Sequence, residues 1–172
     1  MPLYALGAFE PDVHPDAFIH PQAVIIGRVS VGAESTVWPG AVLRGDGAGI
    51  TIGARTSVQD NAVIHNTGEL PTVVGSDVTI GHLAHLEGCT VEDEALVGTA
   101  SVVLHEALVG RGALVAANAV VTNRMIIPPL ALAVGVPAGV REGFMSEGQN
   151  REDAQHYVDL GHRYRAEMRL LG

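Results

Sequence analysis

From Ile19 to Ile127 an aliphatic residue returns at every sixth position, a period that few folds accept. It runs as Ile19, Ile25, Val31, Val37 and Leu43, resumes as Ile52, Val58 and Ile64, then as Val74, Ile80 and Leu86, and ends as Val91, Val97, Val103, Val109, Val115, Val121 and Ile127. Three joints break the step: three extra residues precede Ile52, four extra precede Val74, and one is missing before Val91. Self-similarity at a short fixed period marks a solenoid, in which each repeat buries its apolar side against the next. Four residues after the aliphatic comes a small or β-branched side chain, such as Ala23, Ser35, Ala41, Thr56, Ala62, Ala84, Ala95, Ser101, Ala113 and Ala119. One large and one small inward position in six fill a narrow three-sided prism, so the spacing predicts an all-β solenoid, a single parallel β-helix. Glycine often follows the aliphatic residue, as at Gly32, Gly53, Gly75, Gly81, Gly98 and Gly110. There the chain must turn or let another backbone approach.

Composition fits this layout. The 172 residues are 47% hydrophobic but only 4% aromatic, with 21 glycines, so the core must be built from small aliphatic side chains. A formal charge of −9, with arginines but no lysine, argues against nucleic acid or an anionic membrane as partner, since both need clustered positive charge. A small molecule or another protein chain fits better. Cys89 is the only cysteine, which excludes an internal disulfide and reads as a buried thiol in a reducing compartment. The N-terminus has no basic region and no apolar run is long enough to span a membrane, so a soluble cytoplasmic protein is expected.

The expected organisation is a β-helix domain with its N-terminal cap over 1–147 and a helix over 148–172 that packs on it. The prolines of Ile126-Ile127-Pro128-Pro129 and Gly135-Val136-Pro137 end the winding, because consecutive prolines cannot donate to a ladder. Glu152 to Leu171 then has helical periodicity. Tyr157, Leu160, Tyr164, Met168 and Leu171 form an apolar stripe, with Arg151, Glu152, Asp153, Arg163, Arg165 and Glu167 opposite. Trp38, before Pro39-Gly40, reads as a corner with a partly covered ring.

If three hexapeptides make a turn, equal positions three repeats apart stack about 4.8 Å apart. Stepping back from Leu86 reaches Ile64 and then Leu43, so Arg44, His65 and Glu87 form one vertical column. Stepping back from Ile80 reaches Val58, which places Gln59 and Asp60 beneath Gly81 and His82 on another face. A histidine and a carboxylate on adjacent coils can converge on one ion, because zinc needs ligand atoms at roughly 2.0–2.2 Å. His65 and Glu87 meet that condition. Five residues of extended chain, up to roughly 17 Å, separate His82 from Glu87, and it points from a different corner. A threefold assembly would bring the His82 corner of one subunit to the His65 and Glu87 corner of the next, so the spacing favours a homotrimer.

The segments Val42-Leu43-Arg44-Gly45-Asp46, Ser57-Val58-Gln59-Asp60, Val63-Ile64-His65, Pro71-Thr72, Val78-Thr79-Ile80-Gly81-His82, Gly88-Cys89-Thr90, Ile127-Pro128-Pro129 and Tyr157-Val158-x-Leu160 together resemble the γ-class carbonic anhydrases. The resemblance implies a left-handed β-helix, a homotrimer, and zinc, iron or cobalt held between subunits by three histidines. It implies reversible hydration of CO2 to bicarbonate at a metal-activated water. His65 and His82 match two metal ligands, Arg44 and Asp46 match an ion pair between subunits, and Gln59 and Asp60 match groups beside the reacting water. Tyr157 matches a tyrosine that reaches the site in several homologues.

The departure is at Glu87, where the family has His-Gly-Cys and this chain has Glu87-Gly88-Cys89. Two histidines and a glutamate are a recognised zinc set, so Glu87 is the expected third ligand, with His85 on the same strand face as its substitute. An anionic ligand makes bound water less acidic. Glu69, in the inserted Asn66 to Leu70 loop, is the candidate proton acceptor. His14, His20, His105, His156 and His162 have no matched role and read as surface residues. Two other classes share the solenoid. One is a hexapeptide-repeat acyltransferase, whose coenzyme A phosphates Arg111, Arg124 and Arg141 would meet. The other is a noncatalytic trimeric metal-binding or scaffold protein.

Overall fold

The computed structural model describes residues 3–171. Its parallel strands wind into a left-handed β-helix of hexapeptide repeats. One face stacks Phe18–Ile19, Thr36–Val37, Ser57–Val58, Thr79–Ile80, Leu96–Val97, Leu114–Val115 and Leu132–Val134 in parallel register. A second face carries Val63–His65, His85–Glu87, Val102–Val103 and Val120–Val121 above the first halves of Val24–Val31 and Val42–Ile52. Those two long strands bend around a corner into the third face, which continues as Thr72–Val74, Thr90–Val91, Leu108–Val109 and Ile126–Ile127.

The sixfold count describes the core. Every aliphatic residue of the series points inward and is buried, and the small residues four places later close the gaps between them. Glycine's function in the repeat is close approach. A Cβ on Gly53 would lie 2.5 Å from the Gly75 carbonyl carbon, and one on Gly98 would lie 2.7 Å from the Ala117 nitrogen. Turning falls to the third residue after the aliphatic, which takes left-handed φ at Glu34, Arg55, Asn61, Leu83 and Glu94 among others. Ordinary side chains tolerate that region only when the surrounding structure holds them there, and the corners at Arg55, Asn61, Leu83 and Glu94 each donate a backbone N–H to the coil below. The Arg55 N–H, for example, donates to the Ala33 carbonyl at 2.8 Å.

Winding continues one strand past Pro128-Pro129. Those prolines occupy a corner, where no ladder donor is needed, and Leu132–Val134 still pairs with Leu114–Val115. The stop lies at Gly135-Val136-Pro137, after which Gly139–Arg141 folds back antiparallel.

The helix spans Arg151–Glu167, shorter at its C-terminal end than the periodicity suggests, with Leu170 and Leu171 exposed. Its buried line is Ala154, Val158 and Gly161 rather than the large apolar residues. The flat solenoid face explains this. Small residues let the helix settle close, and a Cβ on Gly161 would stand 2.6 Å from Thr36 Cγ2. Tyr157 and Tyr164 flank that line and pack edge-on against Trp38, with centroids 5.9 and 5.0 Å away. The Trp38 ring is thus fully covered rather than partly, and its Nε1 donates to Thr36 Oγ1 at 3.0 Å and Ser57 Oγ at 3.1 Å.

Candidate functional site

All three breaks in the repeat fall at one corner on successive coils, after Arg44, after His65 and after Glu87. Pairing stacks these three residues as the six-residue count predicts: Arg44 opposite His65, and His65 opposite Glu87. Side chains and loop backbone hold the irregular joints. Thr67 O accepts from Ala48 N–H at 3.0 Å, while the Thr72 hydroxyl donates to His65 O and accepts from Gly88 N–H at 2.8 Å.

His65 lies between two carboxylates. Its Nδ1 is 2.6 Å from Glu87 Oε1 and its Nε2 is 2.9 Å from Asp46 Oδ1. Asp46 also pairs with Arg44 within the same chain. Partial burial raises the pKa of the Glu87 carboxyl, but the hydrogen bond to His65 and the approach of His105 outweigh it, leaving the group below the usual carboxylate range. Asp46 is shifted downward in the same way: burial opposes, while His65 and Arg44 prevail.

Two further imidazoles face Glu87. His85 Nε2 stands 3.7 Å and His105 Nε2 3.4 Å from Glu87 Oε2. His105 is therefore not a free surface residue. The six-residue count gives only its level: one coil beyond Leu86 it arrives at Val103 and sets His105 above Gly88, beside rather than facing Glu87. His14, His156 and His162 are exposed, and His20 is half-buried, which pushes its pKa down against the opposing charge of Asp60.

The second group lies on another corner. His82 Nδ1 is 3.0 Å from Asp60 Oδ2, and its backbone N–H donates to Gln59 Oε1 at 3.1 Å. Tyr157 is close enough for Asp60 to act on it; burial first, then Asp153 and Asp60, raise its phenol pKa. Glu69 is exposed on the inserted loop. Cys89 is buried, which pushes its thiol up to about 12 and leaves it inert. Arg111 is engaged by buried Glu94, and Arg124 lies 3.8 Å from Glu106.

Among the described residues, no three histidine, cysteine, aspartate or glutamate side chains of one chain are set to hold a metal ion. The pair His65 and Glu87 nevertheless fits two positions of a shared site. Donors bound at about 2.0–2.1 Å to one tetrahedral ion stand about 3.3 Å apart, so these two atoms need to separate by less than about 1 Å. His82 has the matching chemistry, its Nδ1 set against Asp60 as in carboxylate-supported metal ligands, which leaves Nε2 as its remaining ring donor.

Fold and corner together define a hexapeptide-repeat β-helix protein with a histidine and carboxylate site. The bacterial transferase hexapeptide family (six repeats) matches residues 11–45. The chain is 37% identical to Gamma carbonic anhydrase 2, mitochondrial, of Arabidopsis thaliana over 87% of its own length and 57% of that protein. It is 38% identical to carnitine operon protein CaiE of Salmonella agona, over 96% of this chain and 84% of that one. A hexapeptide transferase family protein from Anaplasma phagocytophilum superimposes with a TM-score of 0.88 at 35% identity, covering 95% of this chain and 98% of that one. The chain belongs to the family of hexapeptide-repeat proteins that includes carnitine operon protein CaiE, and it is similar to the γ-class carbonic anhydrases. The chain spans 57%, 49% and 38% of the length of three plant γ-carbonic anhydrases that it matches. No helix among the described residues is long and apolar enough to cross a membrane.

Proposed function

We propose that this protein hydrates CO2 reversibly to bicarbonate as a homotrimer, with zinc, iron or cobalt held by His65 and Glu87 of one subunit and His82 of the next. The observation that supports this most is the stacked pair itself, an imidazole nitrogen and a carboxylate oxygen 2.6 Å apart at a corner built from insertions. Metal bound there would acidify a water enough to supply a nucleophile near neutral pH.

The surrounding residues have definite work in that reading. Asp60 fixes the ring of His82 through Nδ1, so that Nε2 is the ligating nitrogen. Gln59 accepts from the His82 backbone through Oε1, which turns its amide N–H groups toward a water or a bicarbonate oxygen. Arg44 and Asp46, joined within one chain here, exchange partners across the subunit boundary. Tyr157 closes the side of the His82 corner, and Glu69 takes the proton from the site to solvent. Because Glu87 is anionic, it would help hold the metal while making the ion a weaker acid toward water than a third histidine would.

Metal content and CO2 hydration of the wild type, His82→Ala and Glu87→His test the reading. The expected result is about one metal per subunit in the wild type, loss of metal in His82→Ala, and faster hydration in Glu87→His than in the wild type. A wild-type trimer that takes up no zinc, iron or cobalt would overturn it and favour the scaffold reading.

A further inference from the structure

Glu87 is attended more closely than an exposed corner glutamate would be. Its two oxygens face different partners: Oε1 faces His65 at 2.6 Å, while Oε2 faces His105 at 3.4 Å and His85 at 3.7 Å. His105 comes from the next coil and is seated by backbone bonds to the coils on either side. The Glu106 N–H donates to Gly88 O at 2.7 Å, and the Arg124 N–H donates to His105 O at 2.9 Å. Its ring edge occupies space that a side chain at position 88 would contest, since a Cβ there would lie 3.3 Å from His105 Cδ2. The ring nitrogen aimed at Glu87 is buried and makes no hydrogen bond among the described residues.

We propose that His105 is a positioning residue: it holds Glu87 Oε2 from the coil above, so that Oε1 is presented beside His65 to a divalent metal ion. The inference rests on the metal reading of the site given above. An imidazole ligand offers one nitrogen in a fixed ring. A glutamate offers two equivalent oxygens on a longer, freer side chain, and one can replace the other unless a neighbour distinguishes them. His105 and Gly88 make that distinction. A buried donor nitrogen with a single acceptor at 3.4 Å closes to a normal hydrogen bond with a shift of a few tenths of an ångström, and a carboxylate ligand hydrogen-bonded in this way is oriented for one ion. His85 approaches the same oxygen from the strand itself, at longer range, and takes a lesser share.

The test is the affinity for zinc by chelator competition, and the visible absorption of the cobalt-loaded protein, for the full chain and its variants. His105→Phe keeps a ring over Gly88 but removes the donor, while His105→Gln restores a donor near Nε2. The expected result is metal binding weakened about 10–100-fold in His105→Phe, the usual effect of losing a group that supports a ligand. An altered cobalt spectrum should accompany it, with recovery of both in His105→Gln. The same His105→Phe change in a Glu87→His background should have no effect, because no carboxylate remains to be positioned. Equal loss in both backgrounds would show a purely structural role and overturn the proposal. So would unchanged affinity and spectrum in His105→Phe while His82→Ala still abolishes binding, a pattern that leaves the metal site standing. Absence of metal binding in the wild type would instead overturn the metal reading and this proposal with it.

Discussion

The upper coils, from Val91 to Ile127, and the lower coils, from Leu43 to Val91, bury the same kind of core and differ almost entirely at one corner. Above, every step is six residues, and the outward strand positions Val102, Leu108, Leu114 and Val120 carry only aliphatic side chains. Below, steps of nine, ten and five residues interrupt the count directly after Arg44, His65 and Glu87, and there the polar groups converge. The regular coils make a rod whose length and straightness position the corner. The irregular joints give up ladder regularity for loops held by Thr67 and Thr72, which frees side chains from the repeat.

The strongest way to break this contrast is to insert one alanine in each region. Between Val97 and Val103, an extra residue turns the following inward side chains outward unless the coil bulges, because strand side chains alternate with period two. Each displaced valine forfeits about 1.5–3 kcal/mol of burial, so loss of cooperative unfolding or a steep fall in Tm is expected. In the loop Asn66 to Leu70, the insertion lengthens a segment already outside the ladder, where even doubling its length would cost about 0.6 kcal/mol. Thermal unfolding of the two variants checks this. Equal damage would mean that the loop is as much part of the framework as the coils.

The rod was legible in the sequence because inward positions repeat, and counting along them predicts which residues share a column. Arg44, His65 and Glu87 were found that way, as were Gln59 and Asp60 under His82. What the count does not reveal is which outward side chains bend toward one another. His85 and His105 both approach Glu87, yet one stands at the position facing Val63 and Val102 and the other above Gly88. Their convergence depends on rotamers rather than on register. The helix was misjudged for a related reason. Periodicity selects large apolar residues, whereas a flat sheet face admits a helix along its small ones, here Ala154, Val158 and Gly161. The left-handed corners were invisible too, because residues as different as Arg55, Leu83 and Glu94 occupy them.

Glycine substitution sharpens the same comparison at smaller scale. A Cβ at Gly98 would lie 2.7 Å from the backbone nitrogen of Ala117, while one at Gly68 would have nothing within 4 Å. Gly98→Ala must push two coils apart, and overpacking of this kind typically costs about 1–3 kcal/mol. Gly68→Ala should change stability by less than about 0.5 kcal/mol. Chemical denaturation of both variants measures the difference, and a neutral Gly98→Ala would show that neighbouring coils slide more freely than close packing implies.

A modest, pH-dependent effect is expected at the seat of the helix on the regular coils. Glu94, almost fully buried, accepts from Arg151 at 2.7 Å and also pairs with Arg111. Asn150 donates to Glu94 O at 3.0 Å, so the helix start is fastened to one corner of the rod. The hydrogen bond from Arg151 lowers the Glu94 pKa; burial opposes it, and the charges of Arg111 and Arg151 add to the lowering. A carboxyl whose folded pKa lies below its unfolded value of 4.5 stabilises fully above that pH and loses the contribution as pH falls through the depressed value. Glu94→Gln should therefore cost about 1 kcal/mol near pH 7, the scale of a charged hydrogen bond with partly exposed partners. The deficit should shrink as the pH drops below about 4.5, because the wild type then loses the same charge. Amide exchange at Arg151 and Ala154, followed in both proteins across that range, separates local release of the helix from general acid weakening. Asp46 and Glu87 titrate with the same sign, but they act at the irregular corner and leave the helix amides unaffected.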